Sequence, residues 1–167
     1  RIQSKRPESV EVFGFELKNT TMARVLLKKL RIQNLGPIKE DEIELEPFTY
    51  FVGRNNAGKS HYLKAVELLL TSGTKKEEIA KLQRDKNEPI IIDGYFEGVG
   101  DFTNLLTASN HKNAIEEAIR DGVLMIRVKA DTTDGAEIGI VKDSGDLHNP
   151  SGFTGNLLKV LPEVISI

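Results

Sequence analysis

The chain has 167 residues, 39% of them hydrophobic and 29% charged, with a formal net charge of -2; this fits one globular domain with its own core and excludes a chain too polar to fold. It contains no cysteine, which excludes disulfide scaffolds, cysteine-ligated zinc sites and thiol catalysis. No apolar run reaches the roughly 18–20 residues that span a bilayer and no signal-peptide pattern opens the chain, so a cytoplasmic protein is expected.

The first residue is Arg1, and residues 1–21 have weak periodicity and little apolar content. They read as a leader or N-terminal extension, with residues 22–167 as the domain proper; the competing reading is a native edge strand around Val10–Leu17. The front is basic, because Arg1, Lys5, Arg6, Lys18, Arg24, Lys28, Lys29 and Arg31 stand against Glu8, Glu11 and Glu16. A bias of this size reads as a solvated face rather than a nucleic-acid patch.

From Val25 to Asn34 the pattern predicts a half-buried strand, with Leu30 and Ile32 alternating with Lys29, Arg31 and Gln33. Asn34, Gly36 and Pro37 signal a turn. A second strand over Lys39–Glu46 alternates Ile43 and Leu45 with Glu42, Glu44 and Glu46. Phe48–Val52 is short, apolar and rich in aromatic and β-branched residues, which predicts a buried strand running into Gly53.

Gly53-Arg54-Asn55-Asn56-Ala57-Gly58-Lys59-Ser60 fits the phosphate-loop pattern G-x-x-x-x-G-K-[ST]. Gly53 and Gly58 let the backbone bend closely around an anion. Amides of the loop and of the following helix turn N–H groups toward phosphate oxygens, aided by the helix dipole. Lys59 supplies a cation for the β- and γ-phosphates, and the Ser60 hydroxyl is a hard oxygen ligand suited to Mg²⁺. Gly53 through Ser60 and the next residue, His61, are therefore the candidate ATP-binding residues, with Ser60 the candidate metal ligand.

Leu63, Val66 and Leu70 follow helical spacing up to Ser72–Gly73. Lys75–Lys86 predicts a charged, exposed helix, Ile90–Phe96 a strand, and Asn110–Arg120 a helix capped by Asn110. Val123–Ala130 and Ala136–Val141 read as strands joined through Asp134–Gly135, residues 143–156 as loop, and Val160–Ile167 as an apolar strand.

Two strand-like segments precede the phosphate loop, whereas simple kinases and GTPases place it after the first strand. Leu30-Arg31-Ile32-Gln33-Asn34-Leu35-Gly36-Pro37-Ile38, followed by Phe51-Val52-Gly53 and the rest of the loop, resembles the ATPase heads of the SMC, RecF and OLD-nuclease group within the ABC ATPases. The resemblance is good over about residues 23–70 and looser over Ile90–Gly98 and Leu161–Ile167. It implies an α/β P-loop NTPase fold, the N-terminal half of an ABC ATPase head, with a RecA-like sheet and a flanking antiparallel sheet. It also implies ATP and Mg²⁺ held between two heads, a turn near Asn34–Gly36 close to the base or ribose, and a parent protein that works on DNA in repair, chromosome handling or phage defence, with a nuclease domain or subunit as a possible partner and no membrane.

Such heads also use an acidic Walker B pair, a signature motif and a switch histidine, none of which can be placed in this chain, so no catalytic residue is assigned. Ile90-Ile91-Ile92-Asp93 imitates Walker B, but Gly94 follows where an acid belongs; a plain strand with an exposed Asp93 is the expectation. Gln83 in a charged helix is a poor Q-loop glutamine. His61, His111 and His148 have no ligand spacing, and His61 is expected to be exposed on the first helical turn. The expectation is an N-terminal fragment that binds ATP with little hydrolysis. A self-contained kinase or nucleotidase and a non-hydrolysing assembly module are the alternatives.

Overall fold

The computed structural model describes residues 10–18, 25–54, 58–71, 75–101, 109–149, 154–155, 161 and 163–166. Among the described residues, nine strands and three α-helices follow one another: β1 (Val10–Lys18), β2 (Leu26–Leu35), β3 (Ile38–Glu44), β4 (Phe48–Arg54), α1 (Lys59–Leu70), α2 (Lys76–Leu82), β5 (Ile90–Glu97), α3 (Ser109–Ala118), β6 (Val123–Asp131), β7 (Gly135–Val141), β8 (Leu147–His148) and β9 (Glu163–Ser166). They form a six-stranded sheet in the order β3-β2-β5-β6-β7-β8 and a three-stranded sheet in the order β4-β1-β9. Every pairing among the described strands is antiparallel.

The large sheet is amphipathic because its strands alternate with period two. On β5, Ile90, Ile92, Gly94 and Phe96 point to the core, and Leu27, Leu30 and Ile32 of β2 and Leu124, Ile126 and Val128 of β6 are likewise buried. Helix α1 supplies Ala65, Val66 and Leu69 to that core, α2 supplies Ile79 and α3 supplies Ile115. Each fully buried large aliphatic side chain contributes about 1.5–3 kcal/mol. Gly94 permits the close approach of α1, since a Cβ there would overlap Leu69 Cδ2. That packing accounts for the glycine that follows Asp93.

The other face of the large sheet is polar. Arg31 pairs with Glu40 at 2.7 Å, Lys29 pairs with Glu42 at 3.2 Å, and the Lys29 ammonium sits 4.3 Å from the centre of the Tyr95 ring. Asp93 belongs to this face, opposite Arg31 on one neighbouring strand and Arg127 on the other. It is not exposed, as the sequence suggests, but 0% accessible. Arg127 donates to both its carboxylate oxygens, at 2.6 and 2.9 Å, and this hydrogen bond is the main reason that the guanidinium pKa is raised. A buried carboxylate persists where charge and hydrogen bonds are both satisfied.

Several boundaries differ from the sequence reading. Residues 10–18, read as leader with a strand as the alternative, form β1 at the centre of the small sheet, with Val10 opposite Arg54 and Glu16 opposite Phe48. Helix α2 stops at Leu82, and Gln83 beyond it is buried rather than part of an exposed helix. Helix α3 begins at Ser109, so Asn110 lies inside it and is not its cap. A short strand, β8, interrupts the expected loop over 143–156. The helix end expected at Ser72–Gly73 lies outside the described residues.

Candidate functional site

Helix α1 lies between the two sheets, touching β2, β5 and β6 of one and β1, β4 and β9 of the other. Strand β4 delivers the chain to this junction and α1 leaves it, so the phosphate-loop motif sits at the crossing. Gly53 and Arg54 end β4. Asn55, Asn56 and Ala57 lie outside the described residues. Gly58 caps α1 in the left-handed region, with φ 86° and ψ 0°, and without a side-chain cap bond. Only glycine takes this conformation freely, and a Cβ there would stand 3.1 Å from Pro37. No acidic residue stands in the first turn of α1, and His61 N–H donates back to the Gly58 carbonyl at 2.8 Å; a helix N-terminus of this kind is suited to an anion.

Lys59, the first residue of α1, is only 6% exposed, whereas Ser60 beside it is exposed. A cation held away from water interacts with a phosphate more strongly than one on an open surface. The residues present fit a nucleotide phosphate: a bent glycine at a helix N-terminus, a shielded lysine and an accessible hydroxyl.

The turn between β2 and β3 is brought against this helix end. Gly36 has φ 54°, and a Cβ on it would overlap the His61 ring. His61 is thus half-buried on the turn rather than exposed, and its Nδ1 is buried. From the other side the turn is held by the segment after α2. Gly36 N–H donates to the Leu82 carbonyl at 2.6 Å, Arg84 N–H to the Asn34 carbonyl at 3.1 Å, and the Arg84 guanidinium to the Pro37 carbonyl at 2.9 Å. Asn34, at φ 60°, spends its side chain on the same segment. Its amide donates to the carbonyls of Asp85 and Glu88 at 2.9 and 2.6 Å, and its Oδ1 accepts from Asp85 N–H at 2.7 Å. Gln83 donates to the Glu88 carbonyl at 2.5 Å. Both amide side chains are structural clamps in this arrangement.

Asp93 does not join the site. It lies on the face of the large sheet opposite the one that receives α1, and its carboxylate is engaged by Arg127.

Tyr62 and Asp41, which no motif in the sequence marks, do join it, together with Phe51. Tyr62 donates a hydrogen bond to Asp41 Oδ2, and its ring stacks on Phe51 with centroids 5.0 Å apart and planes 15° from parallel. Asp41 and Tyr62 are 21 positions apart, and no local pattern links them.

Residues 26–145 match the family described as the AAA ATPase domain. The chain belongs to this family. The Old nuclease of Escherichia phage P2 is 31% identical over 150 residues, which is 86% of this chain and 25% of the phage protein. This AAA ATPase domain chain thus spans about a quarter of that relative's length. A solved structure from work on ATP-driven dimerization and DNA-stimulated activation of SMC ATPases superposes with a TM-score of 0.53 at 18% identity, covering 80% of this chain and 78% of that one. At that identity the likeness is one of fold. It bears out the α/β P-loop class and, with the phage relative, the resemblance to SMC- and OLD-type ATPase heads. Among the described residues no helix is long and apolar enough to cross a membrane, and no cluster of His, Cys, Asp or Glu could hold a metal ion.

Proposed function

We propose that this chain is the ATP-binding part of an SMC/RecF/OLD-like ATPase, cytoplasmic, whose complete form couples ATP-driven pairing of two heads to work on DNA, in repair, chromosome handling or phage defence. The observation that carries this reading is the helix end at Gly58–Ser60: a left-handed glycine, a first turn with no acidic residue and a lysine only 6% exposed. Gly53 to Gly58 and the α1 amides would cradle the phosphates, Lys59 would neutralise the β- and γ-phosphates, and Ser60 would hold Mg²⁺. His61 would position the turn at Gly36 beside the nucleotide. Magnesium, when bound, supplies a Lewis acid that draws charge from the transferring phosphoryl group.

Hydrolysis also needs a carboxylate that orients water and donors that stabilise the γ-phosphate charge. Asp93 is committed to Arg127 on the far face of the sheet, so those groups would come from a second head or from residues beyond this chain. A nuclease domain or subunit fits the likeness to the phage protein.

The test is steady-state phosphate release by the purified chain under saturating Mg-ATP. The expected result is ATP binding with turnover near background, since each missing transition-state donor typically costs about two to three orders of magnitude. Robust turnover that Asp93→Asn abolishes would contradict it and would make the chain a compact P-loop enzyme.

A further inference from the structure

Phe51 stands two residues before Gly53, and Tyr62 stands two residues after Ser60. Their rings stack at 5.0 Å, so the strand that enters the phosphate loop and the helix that leaves it are pinned to each other at the base of the loop. The Tyr62 hydroxyl reaches beyond the stack to Asp41. Asp41 is opposite Ile32 in β3, on the face of the large sheet that packs against α1. One phenol thus joins three elements: the incoming strand β4, the outgoing helix α1 and the hairpin strand β3.

We infer that Tyr62 and Asp41 are positioning residues for the phosphate loop, setting the angle at which the first amides of α1, Lys59 and Ser60 are presented to the phosphates of a nucleotide. The inference rests on the nucleotide reading above. The contact acts by preorganisation. A bound phosphate collects several charge-assisted hydrogen bonds only if their donors stand within roughly 0.5 Å of the required positions. A loop whose ends move independently must be ordered by the ligand, at a cost to affinity. The stack fixes the separation of the ends. The hydroxyl–carboxylate bond fixes the roll of α1 about its axis, because Tyr62 is on the first turn, three residues after Lys59. The main chain packs the same corner from the other side, where Gly58 meets Pro37 and His61 meets Gly36.

The test is titration calorimetry of Mg-ATP with the 167-residue chain, its Tyr62→Phe, Asp41→Ala and Asp41→Asn variants, and Lys59→Ala, each well below its own melting temperature. Tyr62→Phe keeps the stack and loses only the tether. Asp41→Asn keeps an acceptor for the phenol. The expected result is that Tyr62→Phe and Asp41→Ala each weaken ATP binding about fivefold to tenfold, while Asp41→Asn stays within about twofold of wild type. That rescue separates positioning from a purely structural role, which would lower the melting temperature and leave the affinity of the folded chain unchanged. Equal affinities for all folded Tyr62 and Asp41 variants, with binding lost in Lys59→Ala, would overturn the positioning role alone. Absence of ATP binding by the wild type would overturn both it and the nucleotide reading.

Discussion

The ring of His61 occupies the space in which a Cβ on Gly36 would stand. Two segments 25 positions apart in the sequence are thereby locked together, one the tip of the β2–β3 hairpin and the other the first turn of the helix that follows the phosphate loop. Gly36→Ala should therefore cost about 2–4 kcal/mol, from an unfavourable φ near 54° and from overlap with the imidazole. Adding His61→Ala should recover the overlap and leave about 1 kcal/mol for the backbone. Urea denaturation of the two variants measures this. Equal losses in the single and the double variant would mean that the imidazole is not the obstacle.

Asp93 separates a structural role from a catalytic one. Asp93→Ala would leave Arg127 without the carboxylate it grips and should destabilise the chain by about 2–3 kcal/mol, below the usual figure for a broken buried pair because Arg127 keeps 24% exposure. ATP affinity of the folded variant should be unchanged. Loss of ATP binding with stability intact would place Asp93 in the nucleotide site instead.

Tyr62 gives a pH signature. Burial first, then the hydrogen bond to Asp41 and the charge of its carboxylate, push the phenol up to about 12 from an ordinary value of 10.0. The raised value means that the folded state holds the proton more tightly than the unfolded state. The associated stability is therefore fully present below about pH 10 and is lost as pH rises toward 12. In a spectrophotometric titration Tyr62 should form phenolate late, toward pH 12, and that late step should vanish in Tyr62→Phe. Loss in the variant of an ordinary step near pH 10 rather than of a late one would show that the Asp41 contact is not formed in solution.

The pairing of β1 with β4 and β9 makes the N-terminal segment part of the small sheet. Deleting residues 1–21 should lower the melting temperature by more than about 5 °C, a loss that corresponds to roughly 1–2 kcal/mol for a chain of this size. A negligible change would return residues 10–18 to the status of a leader.

Much of this arrangement was legible in the sequence, for identifiable reasons. The β2–β3 hairpin showed itself because Leu30 and Ile32 alternate with charged neighbours and Asn34, Gly36 and Pro37 mark the turn. The phosphate-loop motif is contiguous, so its place between β4 and α1 followed from local pattern. Asp93 reads as exposed in the sequence because it is charged, whereas its burial depends on Arg127, 34 positions away on a neighbouring strand. The Phe51–Tyr62–Asp41 contact escaped for the same reason: stacking and tethering across elements leave no periodicity to read. Gln83 looked like part of a solvated helix because its neighbours are charged. Its burial arises from the bridge to Leu35, a tertiary contact that overrides local composition.

If the loop ending at Lys59 and Ser60 binds the phosphates of ATP, removal of the Lys59 cation must weaken that binding. Titration calorimetry of Mg-ATP with the wild-type chain and Lys59→Ala measures this. A charge-assisted hydrogen bond contributes about 1.5–3 kcal/mol, so the variant should bind ATP about 10- to 150-fold more weakly while remaining folded. Equal affinities in the two folded proteins would mean that this loop does not hold the phosphates and would place any nucleotide elsewhere on the molecule.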